Sequence, residues 1–112
     1  MSLTIADRVR GEFDVIELAG DIDVETARTL RAHIVERFSG STSRVVVDLS
    51  GVDFMDSSGL GALVSGWQLS RDEGAFRIAG ANSIVRRVLS ITGMEDVFAL
   101  YPDVEAATAT TG

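Results

Sequence analysis

The sequence predicts an α/β fold: a mixed, mostly parallel β-sheet with helices packed on it, in the order β-β-α-β-α-β-α-β-α. Three observations carry this. Apolar residues recur with strand period and helix period by turns along the chain, the pattern of successive β-α units joined by right-handed crossovers. Val45-Val46-Val47 with Leu49 is a short, continuous, β-branched apolar run, which suits a strand buried on both faces. The first two apolar segments have no helical segment between them and meet at Gly11, so they read as an antiparallel hairpin at the start of the sheet.

Leu3, Ile5 and Val9 mark the first strand, and Phe13, Val15 and Leu18 the second, which Gly20 is expected to end. Asp21-Ile22-Asp23 then leads into a helix with Ala27, Leu30, Ile34 and Phe38 on one face and Arg28, Arg31, Glu36 and Arg37 largely on the other. Asp23 is its expected N-cap, helped by Glu25 in the first turn. Ser39 to Ser43 is the most flexible-looking loop. After the Val45 strand, Leu60, Leu63, Val64 and Trp67 stand at the spacing of an amphipathic helix, with Gly74 as its stop. Trp67 reads as core. Phe76, Ile78 and Ala79 form another strand. Asn82 caps a third helix through Ile84, Val85, Val88 and Leu89, stopped by Gly93. Val97 to Leu100 is the last strand. Pro102 fits the first turn of a final helix through Val104 and Ala107, and Thr108 to Gly112 reads as a frayed tail.

The junction Asp56-Ser57-Ser58-Gly59 is where chemistry concentrates. Asp and Ser can both accept a hydrogen bond from a free amide of the first turn. Gly59 and Gly61, by contrast, cost about 1 kcal/mol each relative to Ala inside a helix. They leave bare backbone that another surface can approach. Hydroxyls at the positive end of a helix, with small residues behind them, make a place where a phosphate can sit. Capping chemistry does not separate Ser57 from Ser58. The bland reading is a capped helix whose glycines serve helix–sheet packing.

Composition narrows the function. A net charge of −7, with all ten basic residues arginine, argues against nucleic-acid binding, which needs a basic face. Arg86-Arg87 is a solvated pair too small for such a patch. There is no cysteine, so thiol chemistry is excluded. The N-terminus lacks a basic start and a long apolar run, and no segment reaches the roughly 20 apolar residues of a membrane span. A cytoplasmic protein with no membrane contact is the expectation, and 112 residues make one domain.

Enzymatic readings are weak. A serine hydrolase needs a base beside its nucleophile, and the sole histidine, His33, reads as a solvated residue on the outer part of the first helix. A receiver-like phosphoacceptor at Asp48 would require a lysine that the chain lacks; Asp48 reads instead as a partner for loop backbone. Asp21, Asp23, Asp53 and Asp56 match no metal-loop spacing, so no metal is expected.

Asp48-Leu49-Ser50, then Phe54-Met55-Asp56-Ser57-Ser58-Gly59-Leu60-Gly61, with Gly20-Asp21-Ile22-Asp23 upstream, resembles the signature of the anti-sigma factor antagonists, bacterial proteins of the STAS fold. The resemblance spans nearly the whole chain and implies a single STAS domain over residues 1–112. It implies that the unphosphorylated protein binds an anti-sigma factor that is a serine kinase of the histidine-kinase-like ATPase type, freeing a sigma factor. It further implies that phosphorylation of the serine directly after the aspartate, Ser57 (with Ser58 as the alternative), ends binding, and that a PP2C-type phosphatase resets the switch. Asp21, Asp23, Asp56, Ser57, Ser58, Gly59 and Leu60 would form the partner surface, although the family often has Glu where Asp21 stands. The partner supplies ATP and magnesium, so no cofactor of the chain's own is expected. The second expectation is a STAS domain serving as an interaction module in a larger assembly or beside a transporter, not regulated by its own phosphorylation.

Overall fold

In the computed structural model, residues 2–40, 44–70 and 75–109 are described. The element order is β1 (Leu3–Arg10), β2 (Phe13–Ile22), α1 (Val24–Ser39), β3 (Arg44–Met55), α2 (Ser57–Leu69), β4 (Ala75–Ala79), α3 (Ser83–Ile91), β5 (Ala99–Tyr101) and α4 (Val104–Thr108). This is the order that the sequence predicts. The strands form one sheet in the order β1-β2-β3-β4-β5. β1 and β2 pair antiparallel across the two-residue loop Gly11-Glu12, with Gly11 at φ 61°, a conformation open to glycine. Every other pairing is parallel.

The helices α1, α2 and α3 cover one face. There Ile16, Leu18, Leu30, Ile34, Val47 and Leu63 are among the buried residues of the main core, and Trp67 packs against it half-buried. The opposite face carries a smaller core, where Val104 and Ala107 of α4 lie on Phe13, Val15, Val46 and Ala79. Arg77 is set across this second core. Its guanidinium lies 4.8 Å from the Phe13 ring centroid and 5.3 Å from that of Tyr101, and it donates to the Ala107 carbonyl at 2.7 Å. Flat cations on aromatic faces explain how a charged residue closes a mostly apolar layer.

Several boundaries differ from expectation, each for a local reason. β2 does not stop at Gly20. It continues to Ile22 through irregular registers at Glu17/Ala19 and Gly20/Asp21, so the glycine marks an irregularity within the strand rather than its end. β3 likewise runs on to Met55, so Asp53 lies within the strand. α2 ends at Leu69, where the Ser70 hydroxyl and amide bond back to the last turn; Gly74 and the loop residues 41–43 lie outside the described residues. β5 starts at Ala99, because Val97 closes a turn onto the Met94 carbonyl and Phe98 is drawn into the main core beside Phe76. Pro102 precedes the true cap, Asp103. Thr108 is not frayed: it is buried in α4 and accepts a bond from Arg10 Nε at 3.0 Å.

Candidate functional site

The candidate site is the adjacent starts of two helices. β2 and β3 are parallel neighbours whose last paired residues are Ile22 and Met55. One residue beyond each stands an aspartate in extended conformation, Asp23 before α1 and Asp56 before α2, and each caps its helix. The Asp56 amide donates to the Ile22 carbonyl at 3.2 Å, which ties the two starts together. In a sheet of this kind the carboxyl ends of the strands gather the loops that carry function.

The α1 start is saturated. Thr26 N–H donates to Asp23 Oδ1 at 3.0 Å, Asp23 N–H donates to Thr26 Oγ1 at 2.8 Å, and the Thr26 hydroxyl donates to the Asp21 carbonyl at 2.8 Å. This is a reciprocal capping box with threonine in the third position. The Thr26 amide holds the Asp23 carboxyl below the ordinary aspartate range. The Asp-x-x-Thr spacing was legible as a cap at Asp23; the matching role of Thr26 is what the sequence reading missed.

The α2 start is open. Asp56 Oδ1 accepts from Ser58 N–H at 2.8 Å, so the aspartate is the cap and the two serines are the first helical residues, not capping hydroxyls. Ser57 is exposed and Ser58 half-buried. Neither hydroxyl has a hydrogen-bond partner among the described residues. Leu60 is half-buried and packs on the main core. The two glycines have separate roles. A Cβ on Gly59 would lie 2.7 Å from both Ile22 Cγ2 and Met55 Cγ, so this glycine lets α2 settle on the strand ends. A Cβ on Gly61 would meet nothing within 4 Å; that glycine faces open space.

The remaining residues singled out by the sequence fall into place around this pair. Asp21 is half-buried within β2, its amide donating to the Ser2 carbonyl at 2.9 Å. Asp53 is exposed. Among the described residues, no three His, Asp or Glu side chains gather as a cation site. Asp48 accepts from the Ser50 amide at 3.0 Å; it bonds neighbouring backbone as expected, but within β3 and not in a loop. His33 is partly solvated, as expected, but also has a partner: its Nε2 lies 2.7 Å from Asp7 Oδ1, with Arg37 at 4.0 Å from the same carboxylate. The imidazole thus braces α1 against β1. Asn82 both caps α3 and donates through Nδ2 to the Val52 carbonyl at 2.6 Å, pinning α3 to β3. Around the site Val24 and Phe54 are exposed, at 61% and 40%, although apolar.

The chain matches the STAS domain family over residues 4–107. It is 31% identical over 98 residues to the anti-sigma-B factor antagonist of Staphylococcus epidermidis, covering 87% of this chain and 91% of that relative. It is 29% identical over 101 residues to the anti-sigma-F factor antagonist RsfB of Mycobacterium tuberculosis, covering 90% and 81%. Among solved structures, an anti-sigma factor antagonist from Mycobacterium paratuberculosis superposes with a TM-score of 0.87 at 30% identity, over 95% of this chain and 91% of that one. Sequence motif, sheet order and relatives agree: the chain belongs to the STAS domain family and, within it, to the anti-sigma factor antagonists.

Proposed function

We propose that this protein is a binding switch without catalytic activity of its own, acting in the cytoplasm. Unphosphorylated, it binds an anti-sigma factor that is a serine kinase of the histidine-kinase-like ATPase type, so that a sigma factor is freed. The kinase phosphorylates Ser57 with its own ATP and magnesium, binding is lost, and a PP2C-type phosphatase restores the unmodified form. The observation that carries this reading is the exposed Ser57 hydroxyl, without a hydrogen-bond partner among the described residues, at the first position of α2 immediately after the Asp56 cap. Ser58, half-buried one position further in, is the weaker acceptor. Asp21, Asp23, Asp56, Ser58 and Leu60 surround Ser57 as the partner surface, and Gly59 shapes that surface from within by letting α2 approach the sheet.

A phosphate at Ser57 adds about −1.5 to −2 charges beside Asp56. The helix N-terminus favours that charge by about 0.3–1 kcal/mol, too little to refold anything. The switch therefore works through charge and bulk at an interface. Incubating the protein with purified anti-sigma kinases and ATP, then measuring intact mass and mapping peptides, is expected to find one phosphate, on Ser57. Ser57→Ala is expected to bind its kinase like the unmodified protein, and Ser57→Asp about a hundredfold more weakly, a loss of about 2.7 kcal/mol. Equal binding of the two variants would refute the switch.

A further inference from the structure

From the α2 start a groove runs along the seam between α1 and α2. On α1 its wall is Val24, Arg28, Arg31 and Val35, spaced i, i+4, i+7, i+11 and therefore one stripe of the helix. On α2 it is Ser58, Ala62, Ser65 and Leu69, with Gly61 beside them. Two cavities of about 210 and 200 Å³ lie in succession along this seam and adjoin at Arg31, which lines both. The floor on the α2 side is made of small residues, which lets another backbone come close. The ends are apolar and uncovered: Val24 is 61% exposed, Val35 43% and Leu69 49%.

The charge of the groove is opposite to that of the protein. The chain carries −7 overall, yet both charged residues of the groove wall are arginines. Among the described residues neither Arg28 nor Arg31 makes an ion pair or a side-chain hydrogen bond, whereas Arg8 and Arg37 both lie beside carboxylates. Two unneutralised cations between apolar anchors are complementary to a segment with acidic residues between apolar ones. They suit docking of a helix in a groove or of an extended strip. α2 spans about 20 Å at 1.5 Å per residue, room for several turns of such a segment.

We propose that the α1–α2 groove is the docking site for an acidic, apolar-flanked segment of the anti-sigma factor, with Arg28 and Arg31 receiving its carboxylates and Val24, Val35 and Leu69 its apolar residues. This inference rests on the functional reading above and extends it from the serine to a surface running the length of both helices. It also accounts for release. Ser58 lines the mouth of the groove, so a phosphate on the neighbouring Ser57 brings negative charge against an already negative segment and competes with it for the arginines.

The test is titration of the purified anti-sigma kinase with the unmodified protein, with Arg28→Glu/Arg31→Glu, with the milder Arg28→Gln/Arg31→Gln, and with Arg87→Glu on α3 as a charge control. Thermal melts verify that each variant is folded. The expected result is binding weakened at least about tenfold by the glutamate pair and about threefold by the glutamine pair. Arg87→Glu should leave binding unchanged. Raising salt from about 50 to about 300 mM is expected to weaken the unmodified protein more than the glutamate pair. Binding by both arginine variants equal to that of the unmodified protein overturns the groove while leaving the Ser57 switch standing. Failure of the unmodified protein to bind any anti-sigma kinase removes the functional reading, and the groove assignment with it.

Discussion

The starts of α1 and α2 are built on the same backbone plan and finished in opposite ways. Both follow a parallel strand by one residue, and both are capped by an aspartate in extended conformation. At α1 the cap is doubled by Thr26, and that threonine is also bonded to the Asp21 carbonyl. At α2 the cap makes a single bond, to Ser58 N–H, and the following positions hold serine, serine and glycine. One start has its side chains committed to the fold; its neighbour keeps a hydroxyl at the surface. Stability and availability are thus divided between two sites that share a hydrogen bond. A modifiable residue can be presented on a rigid platform without itself being part of what makes the platform rigid.

Substitutions can break or sharpen this contrast. The largest effect is expected at Gly59. Gly59→Ala places a methyl against Ile22 and Met55 and should lower stability by about 1–3 kcal/mol in chemical denaturation, the usual cost of overpacking. A variant as stable as the parent would mean that α2 can lift off the sheet and that the start is softer than described. Asp56→Ala removes the lone cap bond of α2 and should cost about 1 kcal/mol; no loss would mean that this start is open at the cap as well. Gly61→Ala has room for its methyl and should raise stability by about 0.5–1 kcal/mol. If instead it destabilises, Gly61 is serving the fold and not the open surface.

The smallest effect concerns acid. Because the Asp23 carboxyl is held low by the Thr26 amide, its contribution is complete above the unfolded aspartate range. It is lost as pH falls below about 4, through the lowered value in the folded state. Asp23→Asn should therefore have a flatter stability profile than the parent between about pH 5 and about pH 2. Profiles that fall in parallel would show that the capping box is not what protects α1.

Much of this was legible in the sequence, for identifiable reasons. Element order came through because the Val45 run and the helical stripes of α1 and α2 have unambiguous periods. The caps at Asp23 and Asn82 were readable because capping is a local matter of one side chain and the next turn, whereas at the α2 start the choice between Asp56 and the serines stayed open. What escaped depends on contacts between segments distant in the chain. Gly20 looked like a strand end, since nothing local shows that β2 stays paired with β3 beyond it. Gly59 and Gly61 looked alike, and only the approach of Ile22 and Met55 separates them. The ion-pair partner of His33 escaped because Asp7 lies 26 positions away. Arg28 and Arg31 were read as the polar back of α1, when they are one wall of a seam whose other wall is α2.

The bond from the Asp56 amide to the Ile22 carbonyl has a kinetic consequence. That amide can exchange its hydrogen with solvent only when the ends of β2 and β3 part. Such parting disturbs both helix starts together, because each aspartate follows directly on its strand. The two starts are therefore expected to open as a unit, with exchange of the Asp56 amide tracking the β2–β3 ladder beneath it.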